Sequence, residues 1–200
     1  LFEEIGTGDF RTQVGVRQEH QDSSAEGQPD RTFSGTSASL GGLWRPNDDY
    51  ALSLTASRSV RIPDPEQLYA NGPHIATGVY EIGDPNLREE TTLGVDLALR
   101  KTTGRLRGSV SLFRSQADDY VYDDFTGEVV EGEEDDLPIV RFVQADAELT
   151  GAEAELHFDL VHSDPHHLEL ELSGDLVRAE LRGTGEPLPA GEVGEVVVTA

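Results

Sequence analysis

Apolar and polar positions alternate with a period of two over most of the chain, the spacing of a strand with one greasy face. The clearest run is Thr91 to Arg100, where Leu93, Val95, Leu97 and Leu99 alternate with Thr92, Gly94, Asp96 and Arg100. Leu168, Leu170 and Leu172 alternate with Glu169, Glu171 and Ser173, and Tyr50, Leu52, Leu54 and Ala56 alternate with Ala51, Ser53, Thr55 and Ser57. Less regular strands are predicted near residues 9–19, 33–44, 105–117, 138–160 and 192–199. A short turn of helix at Pro65 to Tyr69 is the one helical expectation. The pattern predicts an all-β chain of about seven or eight strands.

The connections fall into two classes. A polar loop from His20 to Arg31 is followed by a tight turn at Arg45–Asp48, and a long loop from Val60 to Glu90 by a tight turn at Thr102–Gly104. A long loop from Val121 to Asp136 then precedes the short Val161–Pro165. Long and short alternate until Gly183, as they do when one rim of an antiparallel membrane barrel carries large loops and the other tight turns.

Periodicity leaves open what the greasy face meets. A soluble, acidic all-β binding domain with a sandwich core has the same alternation as a transmembrane barrel wall. Two features favour lipid. Trp44 and Tyr50 flank one tight turn in phase with the apolar faces of their strands, as an interfacial aromatic girdle requires, and Tyr120, Tyr122 and Phe125 bracket the opposite rim. A sandwich of this size also seldom carries a structureless connection of about thirty residues. The expected fold is an antiparallel up-and-down meander forming part of a transmembrane β-barrel.

Charge narrows the partners. The chain has 15 Lys and Arg against 39 Asp and Glu, a formal net charge of −24, which disfavours nucleic acid. Lys101 is the single lysine, a composition suited to a salt-adapted or high-GC source. There is no cysteine, hence no disulfide and no thiolate metal site. No run approaches the eighteen apolar residues of a membrane helix, which leaves barrel strands of about ten residues untouched. Absence of methionine and of a leader suggests that residues 1–200 are a fragment of a larger barrel domain, with residues 190–200 the least secure part.

The loops hold the candidate chemistry. His74 lies in Asn71-Gly-Pro-His74 with Glu81 and Asp84 nearby, and imidazole with carboxylates suits a divalent transition metal such as Zn²⁺. The plainer reading is that Gly72-Pro73 fixes a turn within which His74 only hydrogen-bonds. His20 lies in another predicted loop, and His162, His166 and His167 cluster at a short turn on the opposite rim. From Asp118 to Asp136 ten carboxylates accumulate without a basic residue: Asp118, Asp119, Asp123, Asp124, Glu128, Glu131, Glu133, Glu134, Asp135 and Asp136. Such a run is predicted to be a solvated loop that gathers cations. Asp96, Arg100, Glu169 and Glu171 would line the lumen. Phosphate-loop, His-Glu-x-x-His and Gly-x-Ser-x-Gly signatures are absent, so no enzyme is expected.

The segment Gln67-Leu-Tyr-Ala-Asn-Gly-Pro-His-Ile-Ala-Thr-Gly-Val-Tyr-Glu-Ile-Gly-Asp84, preceded by Ser57–Pro63 and followed by Asn86-Leu-Arg-Glu-Glu90, resembles TonB-dependent outer-membrane receptors. Asp118-Asp-Tyr-Val-Tyr122 and Gln144–Glu155 resemble further strand signatures of that family, and the likeness spans residues 33–189. It implies energy-coupled import of a scarce solute across the outer membrane of a Gram-negative-type bacterium. It also implies an amino-terminal plug that contacts the TonB-ExbB-ExbD complex, outer-membrane lipid as a partner and a small solute ligand. Some members of this branch resemble zinc importers, an independent reason to consider His74. The tail Gly185–Val198 departs from the family pattern and is superficially similar to a segment of adenylate-forming enzymes, a distant third reading.

Overall fold

In a computed structural model the described residues are 1–131, 136–163 and 165–199, with backbone alone for 162 and 189–199. The strands are β1 (Phe2–Thr7), β2 (Phe10–Ser23), β3 (Arg31–Trp44), β4 (Tyr50–Arg61), β5 (Asn71–His74), β6 (Val79–Ile82), β7 (Glu90–Lys101), β8 (Leu106–Val130), β9 (Leu137–Ser163), β10 (His166–Leu181) and β11 (Pro187–Thr199). One helix, α1 (Pro65–Tyr69), precedes β5. The main sheet runs β1-β2-β3-β4-β7-β8-β9-β10-β11. Each neighbouring pair on this path is antiparallel. This is one continuous up-and-down meander, so the two-sheet sandwich is set aside. Among the described residues nine strands lie on the path rather than seven or eight. The addition is β1, whose six exposed residues carry too short an alternation to stand out from sequence.

The turns stack at one rim. Arg45 N–H donates to the Asp9 carbonyl at 2.8 Å and Thr102 N–H to the Asp49 carbonyl at 2.9 Å, which ties the β1–β2, β3–β4 and β7–β8 turns together. The opposite end carries residues 24–30, 62–89 and 182–186.

Register fixes which face is which. Leu43, Ser53, Ala98, Arg100, Ser111 and Glu153, from β3 through β9, line one common hollow, which makes theirs the concave face. Leu93, Val95, Leu97 and Leu99 have the opposite parity and are 53%, 51%, 40% and 48% exposed. Leu97 pairs with Leu54 and Leu112, and Leu99 with Leu52 and Val110, so the convex face is a continuous apolar belt. Along β8–β10 it continues through Leu156, Phe158, Leu170 and Leu172. A folded soluble chain rarely leaves such a patch bare. At the turn rim Phe10 stacks on Trp44 with ring centroids 5.8 Å apart, and the Lys101 ammonium lies 5.6 Å from the Tyr50 ring centre. These residues form the expected girdle. From Leu93 to Lys101 the strand runs about 27 Å at about 3.4 Å per residue. With a tilt of about 40° that spans about 20 Å, comparable to the apolar band of about 25 Å on membrane barrels.

Three expectations about the far rim change. Residues 121–136 are not one loop, because β8 continues to Val130 and β9 begins at Leu137; Glu133, Glu134 and Asp135 lie outside the described residues. Opposed pairing explains this, since Val121, Tyr122 and Phe125 face Gln144, Val143 and Val140, and Asp123 and Asp124 sit on backbone paired with Phe142 and Arg141. The 62–89 connection is not structureless either: it holds α1 and the β5–β6 hairpin, and β6 adds in parallel to β9 through Tyr80↔Ile139 and Ile82↔Arg141. Tyr120 and Tyr122, expected in an upper girdle, are half-buried against Ala117, Ala147, Ala179 and Leu188. A bulge between Ala117 and Tyr120, with Asp119 at φ 57°, re-aims this part of β8.

Candidate metal centre

The folded connection is built around Leu68. Pro65 supplies the fixed φ suited to the first helical position. Asp64 N–H donates to the Gln67 side-chain oxygen at 3.1 Å, which closes the entry to α1. Leu68, fully buried, packs with Phe33, Ile62, Leu87, Val121 and Phe142, and this cluster fastens the connection to the rim. Gly83 allows the chain leaving β6 to press on α1: a Cβ there would stand 2.7 Å from the Leu68 and Tyr69 backbone. Gly83 N–H donates to the Ala70 carbonyl at 2.8 Å and Asp84 N–H to the Gln67 carbonyl at 2.9 Å.

His74 and Glu81 are brought together by the β5–β6 hairpin. His74 pairs with Val79 and Glu81 with Gly72, so both side chains emerge on one face. Gly78, at φ 67°, closes the turn, its N–H donating to the His74 carbonyl at 2.9 Å. His74 Nδ1 lies 2.9 Å from Glu81 Oε1 and 2.9 Å from Thr77 Oγ1. Burial pushes the Glu81 carboxyl above the ordinary carboxylate range; His74 draws it back and Glu66 raises it. A desolvated carboxylate beside an imidazole has much to gain from a divalent cation, which offsets both the burial cost and the repulsion from Glu66.

Asp84 does not join this group. Its Oδ1 accepts the Asn86 backbone N–H at 2.8 Å and the Asn86 side-chain amide at 2.9 Å, making the turn that leads to β7. The third ligand-competent group is Glu66 of α1, whose carboxylate lies with His74 and Glu81 in one cluster of donor atoms within 4.8 Å of each other. The sequence separates Glu66 from His74 by a helix and a strand, and no spacing rule links them. Its place in the predicted helical turn was the available signal.

Other candidates have different surroundings. His20 lies within β2 opposite Ser34, not in a loop, and is 3.8 Å from Asp22. His166 and His167 begin β10, with His167 Nε2 3.6 Å from Glu169 Oε2, while the His162 side chain lies outside the described residues. Within the former acidic run, Asp119 pairs with Arg88 and Asp118 with Arg182, so part of its charge is neutralised by loop arginines.

Comparison with known proteins agrees with this architecture. A family model described as TonB dependent receptor-like, beta-barrel, matches residues 2–190. Among solved structures, the copper transporter OprC superposes with a TM-score of 0.71 at 16% identity, covering 98% of this chain and 30% of that one. The siderophore receptor PirA from Acinetobacter baumannii gives 0.59 at 16%, covering 94% and 28%. The ferric enterobactin receptor PfeA from Pseudomonas aeruginosa, in complex with enterobactin, gives 0.58 at 18%, covering 94% and 28%. The chain thus spans under a third of the length of these receptors, and the likeness at such identity is one of fold. With an apolar convex face, a polar concave face and a family match over nearly its whole length, this chain belongs to the TonB-dependent receptor β-barrel family and forms part of an outer-membrane barrel wall.

Proposed function

We propose that residues 1–200 are one portion of the barrel of a receptor that imports a scarce solute, a metal ion or a metal-carrying small molecule, by energy-coupled transport through the TonB-ExbB-ExbD complex. The observation that carries the metal reading is the His74–Glu81–Glu66 cluster on a folded loop at the rim opposite the tight turns. Imidazole with two carboxylates is a borderline donor set that takes Zn²⁺ or Cu²⁺ in preference to Ca²⁺. Three protein ligands leave a coordination position for water or a departing donor, as a site that must release its cargo requires. OprC is a copper transporter, PirA a siderophore receptor and PfeA a ferric enterobactin receptor, which is in keeping with this class of cargo. The chain itself acts by holding and orienting the ligand, with no covalent chemistry.

The test is titration of the full-length receptor with Zn²⁺ by calorimetry at low and high salt. A His74→Ala variant should lose at least tenfold in affinity for this site while the barrel still assembles. Unchanged affinity in that variant removes His74 from the proposal. Weak, salt-sensitive binding with no preference for Zn²⁺ over Ca²⁺ would show that the rim merely gathers cations.

A further inference from the structure

A second group of donors lies on the concave wall, level with the girdle at the turn rim. His157 of β9 pairs with Arg107 of β8 and Glu171 of β10, and Glu155 follows two residues earlier on the same face. Donor atoms of Glu155, His157 and Glu171 lie within 4.8 Å of each other. His157 Nε2 is 3.0 Å from Glu155 Oε1, while Nδ1 on the other side of the ring is 3.1 Å from Glu169 Oε1. Glu169 is held in turn by Arg107 at 2.9 Å, and Arg107 also reaches Asp159 at 3.2 Å.

This division of labour is that of a supported metal ligand. A ligating histidine ordinarily donates its second ring N–H to a carboxylate, which fixes the tautomer and makes the free nitrogen a better donor. Here Glu169 supplies that carboxylate and Arg107 fixes Glu169 and Asp159. Glu155 and Glu171 have no arginine partner among the described residues; Glu155 stands beside Nε2, and Glu171, cross-strand from His157, brings a carboxylate oxygen within 4.8 Å of the Glu155 and His157 donors. Cross-strand register builds the arrangement, since facing residues of β8, β9 and β10 share a side of the sheet.

We propose that Glu155, His157 and Glu171 form a divalent transition-metal site on the periplasmic end of the lumen wall, with Glu169 and Arg107 as positioning residues. Its donors suit Zn²⁺ or Cu²⁺, and its open positions allow a metal to pass on. It stands independently of the rim cluster, because the two share no residue and lie at opposite ends of the wall.

The experiment is Zn²⁺ titration of the full-length receptor in detergent, with barrel folding followed by electrophoretic mobility of unheated samples. Wild type should bind a Zn²⁺ that His74→Ala does not abolish. His157→Gln and Glu171→Gln should each weaken it at least tenfold, and Glu169→Gln about 10- to 100-fold through the ring orientation alone. Should His157→Gln fail to fold, exposed Glu171 decides the matter. Unchanged Zn²⁺ binding in folded Glu171→Gln overturns the site, and so does complete loss of Zn²⁺ in His74→Ala, which would place all the metal at the rim. Loss confined to the His157 and Glu171 variants would support the wall site while counting against the rim reading.

Discussion

At the scale of single residues, Glu81 and Gly151 have the sharpest consequences. Burial raises the Glu81 pKa, so in the metal-free receptor the hairpin is favoured by the protonated acid. That contribution is fully present below the unfolded-state pKa and is lost as pH rises through the raised value. Amide exchange of residues 71–82 without metal should therefore be slower at pH 5 than at pH 8 after correction for intrinsic rates, and Glu81→Gln should flatten the difference. Faster exchange at pH 5 would contradict the assignment. Zinc reverses the dependence, because only the ionised carboxylate and neutral imidazole coordinate. Gly151 lies under the Phe113 ring, where a Cβ would come within 2.4 Å. The Leu176 carbonyl oxygen would also stand 2.7 Å away, so Gly151→Val should cost about 1–3 kcal/mol by the usual penalty of overpacking, seen as a lower urea midpoint for the folded barrel; a wild-type midpoint would show that both the Phe113 ring and the Leu176 backbone give way freely.

At the scale of elements, alternation revealed β3, β4, β7 and the cores of β8–β10, since one face of each meets a uniform environment and period two survives. It failed where tertiary pairing replaced it. β8 runs to Val130 because β9 stands opposite, although the acidic run Asp118–Asp136 read alone is a solvated loop. The site was half legible: His74 and Glu81 are seven residues apart on one hairpin, whereas Glu66 arrives from a helix whose position depends on buried Leu68 and Gly83. His157 went unnoticed because its partner Glu171 is fixed only by the β9–β10 register. Sidedness gives the prediction here. Leu97→Arg, placed in the middle of the convex belt, should cost about 2–4 kcal/mol of folding into a bilayer, while Asp96→Asn on the concave face should stay within about 0.5 kcal/mol. Equal costs would deny the difference between faces.

At the scale of the whole molecule, charge and shape agree. A net charge of −24 would press hard on a compact core, but here carboxylates are spread over the lumen wall and rim, where water and arginines meet them. The interior of this wall is a lumen rather than a core, which explains why the buried apolar residues gather near the far rim while the leucines face outward. The departing tail keeps the meander, since β11 pairs with β10 from Glu171↔Thr199 to Glu180↔Pro187. The central claim is that the convex leucines meet lipid. This chain has no cysteine, so single cysteines introduced at Leu97 and at Asp96 can carry nitroxide labels without background from it. In bilayers, the label at 97 should collide freely with dissolved oxygen and be shielded from a water-soluble nickel chelate, with the order reversed at 96. A label at 97 that meets the nickel chelate, or is shielded from both reagents as in a closed protein core, would contradict the account.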